Sequence, residues 1–383
     1  MTASASHAAP AALPGTCSGT AQARPEARVR RGAGVLGDGR VGTGGHSPAS
    51  GGDGLHGHGE CSGRRMGPAS RGTGGRGLPV PGPAPDPGGW PARLRLSFGV
   101  AGGRTVLDRT ERSGPLGVQR LFYPEGAAPD GTLPCEACVL HPPGGIVTGD
   151  SLEVVAECCP GAKALVTSPA ADKFYRARTS PGLQRQSFRG VAEGPGAELE
   201  HLPQEAIVFS GARALRETVY EVSGGGKLAG WGTVLLGRAA AGESFTGGSY
   251  RETLMVFRDG EPALLERTDI RGSGEPWPAG LLSSPLGLMS RPVMSYFLCL
   301  GSGDEREEAA LAVAVGELRE LAAGGEPDGF PEFSGATLRD GIMLARSVGL
   351  SVPAAERYCR AAWSLARPAL LGREAVFPRI WRT

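Results

Sequence analysis

From Trp90 onward the chain alternates. In "ARLRLSF", Leu94, Leu96 and Phe98 are interleaved with Arg93, Arg95 and Ser97, and a period of two places the apolar set on one face of a half-buried strand. Runs of the same kind recur to about residue 270: "LGVQRLFY", "SLEVVAE", "KALVT", "QSFRGVA", "EAIVF", "RETVYEV", "GTVLLG" and "TLMVFRD". Gly, Pro or Asp stands in most of the gaps, as turns between strands require. No long amphipathic helix separates these runs, which argues against a doubly wound α/β fold.

The period then changes. Over residues 304–325, "DEREEAALAVAVGELRELAAGG" places Leu311, Val315, Leu318 and Leu321 at helical spacing, with acids in the first turns and glycine past the last apolar residue. That combination predicts a helix. A second helix is predicted over residues 353–366, "PAAERYCRAAWSLA", with Pro353 in its first turn and Pro368 beyond its end. The expected fold class is mainly β: a large β-domain carrying two α-helices near its C-terminus.

Composition divides the chain at about residue 90. Residues 1–89 contain no Phe, Tyr, Trp, Ile or Lys and are rich in Gly, Ala, Pro, Ser and Arg. Such a segment buries too little apolar surface to offset the entropy of ordering it, so residues 1–89 read as a disordered extension and 90–383 as the folded domain. Within the extension, His56, His58, Glu60 and Cys61 are ligand types for Ni²⁺ or Zn²⁺. Glycine-rich flexible sequence gives them no fixed geometry, and the reading favours no specific site there.

The formal charge of +1 over 383 residues gives no general argument for nucleic acid or an acidic membrane as partner. The N-terminus lacks a charged start followed by an apolar core, and no apolar run approaches the ~20 residues that span a bilayer. The expected location is the cytoplasm. There the eight cysteines are expected to be reduced, without a disulfide framework.

Candidate chemistry is sparse. Cys135 and Cys138 form a lone CxxC, and only the adjacent Cys158 and Cys159 lie near in sequence. Adjacent cysteines are poor partners for tetrahedral zinc, so cysteines packed within strands are the expectation. No G-x-S-x-G, H-E-x-x-H or G-x-x-x-x-G-K-[ST] motif is present. His141 and His201 are the only histidines after residue 90, so a hydrolase would have to use one of them, for example His141 with Asp150 or Glu205. The carboxylates Asp150, Glu205 and Glu266 follow short loops, as do Glu125 and Glu243. Asp150 closes the stiff turn "HPPGGIVTGD", and Glu205 in "LPQEAIVF" is flanked by apolar residues, which favours partial burial.

Taken in order, several blocks form a series: "GRTVL" (103–107), "GPLGVQRLFYPEG" (114–126), "HPPGGIVTGD" (141–150), "ALVTSPAADKFYR" (164–176), "LEHLPQEAIVFSGA" (199–212), "LGRAAAGESFTGG" (236–248) and the terminal "PRIWRT" (378–383). The series resembles the urease accessory protein UreD family, called UreH in some organisms, over about residues 90–383. The resemblance implies a non-catalytic maturation chaperone that binds urease apoprotein and UreF, which recruits the GTPase UreG, and that helps deliver Ni²⁺ to urease. It implies a mainly β fold with helix-like winding of the strands and two α-helices. It also implies an internal route for nickel in transit, with no permanently bound cofactor. Asp150 and Glu266 match acids of that route. Where relatives carry Trp followed by an acid, this chain has Trp231 followed by Gly232, and Asp172 is the candidate to supply the missing charge. With Glu205, these make four carboxylates expected along the route. Sparse carboxylates with retained water suit transit, because a cluster of His or Cys would trap the ion.

Overall fold

The computed structural model describes residues 89–178, 182–274, 280–324 and 329–382. Residues 1–88, with His56, His58, Glu60 and Cys61, lie outside the described residues.

The strands wind. A hairpin of β1 (Pro91–Ala101) and β2 (Arg104–Ser113) opens the fold, and β3 (Gly117–Val118) and β4 (Cys135–Leu140) follow. From there the chain alternates between two sheets. It runs through β5 (Ser151–Cys158), β6 (Lys163–Thr167), the short β7 (Asp172–Phe174), β8 (Gln184–Glu193), β9 (Glu198–Leu202), the short β10 (Ala206–Val208), β11 (Arg213–Ser223), β12 (Lys227–Leu236) and β13 (Ser249–Arg258). In one sheet β1, β5, β8, β11 and β13 are successive parallel neighbours, and in the other β4, β6, β9 and β12 are. Each return to a sheet lands beside the previous visit, which is the helix-like winding that the resemblance implies.

The coil is closed by antiparallel pairings. β14 (Glu261–Arg271) folds back on β13, giving the order β14-β13-β11-β8-β5-β1-β2. A four-residue helix, α1 (Gly280–Ser283), leads to β15 (Val293–Leu300), and α2 (Glu305–Ala323) to β16 (Phe333–Arg339) and β17 (Ile342–Gly349). The second sheet then runs β16-β17-β15-β12-β9-β6-β4-β3, with β7 and β10 attached through β12. The long helix α3 (Val352–Leu371) follows.

Burial patterns show why these residues form these layers. β11 alternates buried and half-buried positions along its whole length, so one face meets the core. β12, "KLAGWGTVLL", is buried at nearly every position, because the second sheet is covered on both faces. One apolar core lies between the sheets, with Leu94, Leu96 and Phe98 facing Val166, Leu199 and Leu298. A second core lies between the outer face of the second sheet and the helices, where Trp231, Phe297 and Met343 meet Leu311, Leu318 and Trp363.

Both predicted helices form, with corrected limits. Asp304 caps α2 by accepting from the Arg306 amide at 2.7 Å, and Leu311, Val315 and Leu318 are buried while Leu321 is exposed. The second helix was expected to stop before Pro368; instead it continues to Leu371, and Gly372 in the left-handed conformation ends it. Burial explains the extension: Arg367, Leu370 and Leu371 are all buried beyond the expected end, and their packing offsets the backbone bond that Pro368 removes.

Charge anchors α3 as well. Arg367 is fully buried and bonds Glu200 of β9 and Glu125, and Arg373 bonds Glu198 at 2.5 Å. The terminal "PRIW" follows the helix into the second core. Trp381 donates its indole N–H to Thr167 of β6 at 2.9 Å and packs against Trp231, Trp363 and Phe377.

Candidate functional site

Beside the buried charges under α3, a second set of interior polar residues lines two cavities. The first, of about 150 Å³, lies where β7, β8 and β11 converge; its lining includes His141, Asp172, Gln186, His201 and Arg216. The second, of about 510 Å³, is lined by Gly232, Glu252, Glu266, Tyr296 and Arg346, among others. Exposed Leu265 and Leu281 lie at its rim.

Parallel pairing sets the positions. β11 and β13 run side by side with Arg216 opposite Glu252 and Thr218 opposite Leu254. Alternation turns these four side chains to the buried inner face. On the facing sheet, Gly232 of β12 is the register partner of Tyr296 of β15. A Cβ at Gly232 would lie 2.6 Å from a ring carbon of Tyr296, so tyrosine fills the space that an acidic side chain there would need.

Each expected carboxylate can now be placed. Asp150 holds its own turn: one carboxylate oxygen accepts from the Trp90 amide at 3.1 Å and the other from the Val147 amide at 2.9 Å. Asp172 opens β7 and accepts from the Gln186 side-chain amide at 2.6 Å. Glu266 of β14 forms an ion pair with Arg346 of β17. Glu205 is half-buried, in keeping with its apolar flanks. Its backbone oxygen accepts from the Asp172 amide, while its charge acts on Glu356 of α3. The four do not converge. Asp172 lines the first cavity, Glu266 the second, and Asp150 and Glu205 neither. Asp172 and Gly232 therefore line different cavities, and the buried acid lining the same cavity as Gly232 is Glu252. Glu252 carried no local sequence signal, since it sits mid-strand in "RETLMVFRD". Its burial beside Arg216 depends on the winding.

The histidines are held neutral. Burial lowers the pKa of His141, although Asp172 and Asp150 act the other way. His201 is held well below the ordinary range by burial and by the Arg216 charge. Its ring stacks on Phe188 with centroids 3.4 Å apart, and its Nδ1 lies 2.9 Å from the Tyr220 hydroxyl. Among the described residues, no hydrogen bond joins His141 to Asp150 or Glu205, the pairings that a hydrolase would use.

The CxxC cysteines, Cys135 and Cys138, pack within β4 as expected, and Cys158 packs within β5. Cys135, Cys138, Cys158, Cys299 and Cys359 are free and buried, and burial pushes the Cys135 thiol up to about 12 and the Cys138 thiol to about 11. Thiols raised in this way are poor nucleophiles. Among the described residues no three His, Cys, Asp or Glu side chains are grouped to hold a metal ion, and no helix is long and apolar enough to cross a membrane.

The fold and its lining define a strand-wound β scaffold with carboxylates dispersed along interior cavities. Comparison with known proteins places it further. The family described as UreD urease accessory protein matches residues 91–382. The urease accessory protein UreD of Dechloromonas aromatica (strain RCB) is 40% identical over 306 residues, covering 80% of this chain and 99% of the relative. The protein of the same name from Klebsiella aerogenes is 38% identical over 295 residues, covering 77% of this chain and 97% of the relative. The chain belongs to the UreD urease accessory protein family.

Proposed function

We propose that this chain is a non-catalytic urease maturation factor: a cytoplasmic scaffold that binds urease apoprotein and UreF, acts with the GTPase UreG, and passes nickel through its interior. Nickel is cargo in this reading and not a resident cofactor. The observation that carries the proposal is the family match over residues 91–382, joined to a fold in which Asp172 lines one interior cavity and Glu252 and Glu266 line another.

The coordination chemistry supports transit. Three of the four acids assigned to the route are already partnered: Asp150 by two backbone amides, Asp172 by Gln186, Glu266 by Arg346. A Ni²⁺ ion arriving at such an acid competes with that partner and keeps most of its water, so it binds weakly and moves on. Glu205, half-buried beside α3, is the fourth carboxylate assigned to the route.

The test is maturation of urease in cells that carry the remaining accessory proteins and Asp150→Ala or Glu266→Ala forms of this chain. Nickel per urease active site is measured together with co-purification of UreF and urease. The proposal expects the complexes to form and nickel content to drop in both variants. Normal nickel content in both would remove the carboxylate route and leave only the scaffold role.

A further inference from the structure

The linings of the two cavities approach one another at a charged pair. Arg216 lines the first cavity and Glu252 the second, on adjacent strands and in direct register. Both residues are buried, at 7% and 6% exposure. Their nearest charged atoms, Arg216 Nη1 and Glu252 Oε1, are 3.6 Å apart, beyond a normal hydrogen bond. Neither atom has a hydrogen-bond partner.

This is an unusual way to bury two charges. Desolvation of an ion pair is recovered only when the geometry is good and the remaining donors and acceptors are satisfied. The same molecule builds such a pair elsewhere: Arg367 and Glu200 share three hydrogen bonds of 2.8–3.2 Å, and Trp363 donates a further one to Glu200. At Arg216 and Glu252 the charges are matched but the bonds are not made. The pair balances charge without clamping the fold.

We propose that Arg216 and Glu252 form a charge gate between the two cavities. In the closed state seen here the guanidinium neutralises Glu252 and presents positive charge to any cation in the first cavity. The gate opens when Arg216 turns toward Asp172, which lines the same cavity, and the freed Glu252 carboxylate takes a hydrated divalent cation into the second cavity. Glu266 and Gly232 lie there to receive it. Gly232, with no side chain, leaves Glu252 as the acid on that part of the lining. The gate rests on the cation-transit reading given above.

The test uses the full chain, co-expressed with urease and the other accessory proteins. Replacing the pair together, Arg216→Met with Glu252→Met, removes both charges at similar volume, a change that often leaves stability unaltered or raised. The gate predicts a normally melting, complex-forming protein that delivers roughly tenfold less nickel to urease. Normal delivery would overturn it and leave the pair a structural feature. If the double variant does not fold, Glu252→Gln in the same assay replaces it, with soluble complex as the condition and the same loss of nickel expected. Asp150→Ala and Glu266→Ala run in parallel. Nickel loss in those two with normal delivery by the gate variant sinks the gate alone, whereas normal delivery in all three sinks the transit reading with it.

Discussion

Arg367 on α3 and Glu200 on β9 stand 167 positions apart and are joined by three hydrogen bonds within the protein interior. Burial opposes both charges, yet the guanidinium keeps the Glu200 carboxyl below its usual range. Removing one partner leaves the other buried and uncompensated. Glu200→Gln or Arg367→Met is therefore expected to cost about 3–5 kcal/mol, read from chemical denaturation. Replacing both with apolar residues should cost less than either single change.

Asp150 closes its turn with both carboxylate oxygens. Asp150→Ala removes two charge-assisted bonds and is expected to destabilise by about 1.5–3 kcal/mol. Asp150→Asn keeps one acceptor and should fall between Asp150→Ala and the parent. Hydrogen exchange at the Val147 amide reports the turn directly, and protection there should drop in the same order. For that reason Asp150→Asn is the cleaner probe of a role in transit, because it changes the charge while holding more of the turn.

His201 gives the stability a pH dependence of known sign. Its folded pKa lies well below the ordinary value, while the unfolded chain titrates near 6.5. As pH falls through that value the unfolded state takes up a proton that the folded state refuses. Stability is thus retained above about pH 6.5 and declines on acidification, by up to about 1.4 kcal/mol per pH unit from this group. His201→Gln should flatten the difference between melting at pH 7.5 and 5.5, both values being about a unit on either side of the transition. An unchanged slope would place the acid sensitivity elsewhere.

What was legible in the sequence follows from how local each signal is. Strands such as "ARLRLSF" and "RETVYEV" announce themselves because one face is buried and the other is not. Most of "LGVQRLFY" carries the same pattern, yet only Gly117 and Val118 pair as a strand; farther along, Phe122 meets Glu136 of β4 only through an isolated antiparallel bridge. β14 and β16, which are largely exposed, and the apolar β15 were not foreseen. Edge strands lack a buried face to give them alternation, and a strand buried on both sides has none either. The second helix ran past Pro368 because the energy of burying Arg367, Leu370 and Leu371 is not visible in propensity. Among the candidate residues, Asp150 and Glu205 could be placed locally, at a turn and between apolar neighbours. The pairing of Arg216 with Glu252 could not, because it depends on two turns of the coil falling into register.

The C-terminal tryptophan offers a separate test of how the fold is closed. Trp381 is packed against Trp231, Trp363 and Phe377 and bonded to Thr167. Trp381→Ala is expected to cost about 2 kcal/mol or more. Near-ultraviolet circular dichroism should lose intensity from the tryptophan cluster while the far-ultraviolet signal persists. Trp381→Phe keeps the packing and loses only the bond, so it should fall close to the parent.

Gly232 and Tyr296 are expected to be coupled. Restoring an acid with Gly232→Asp places a Cβ 2.6 Å from the Tyr296 ring and should destabilise by about 1–3 kcal/mol. Combining it with Tyr296→Ala should cost less than the sum of the two single changes, by about 1 kcal/mol. Additive losses would show that the ring moves aside freely.

The two ends of the first sheet carry a consequence for the molecule among its own copies. Its outermost strands, β2 and β14, are also its most exposed and most charged: "RTVLDRTERS" and "EPALLERTDIR". A parallel coil could in principle go on accepting strands, each new one finding an unpaired row of amides and carbonyls. Here the last strand at either side runs antiparallel and presents Arg, Glu and Asp to solvent. A neighbouring copy offering a strand would have to pair against this row of charged side chains and desolvate part of it. The same residues that finish the fold therefore also make its two edges poor templates for a strand from a second copy.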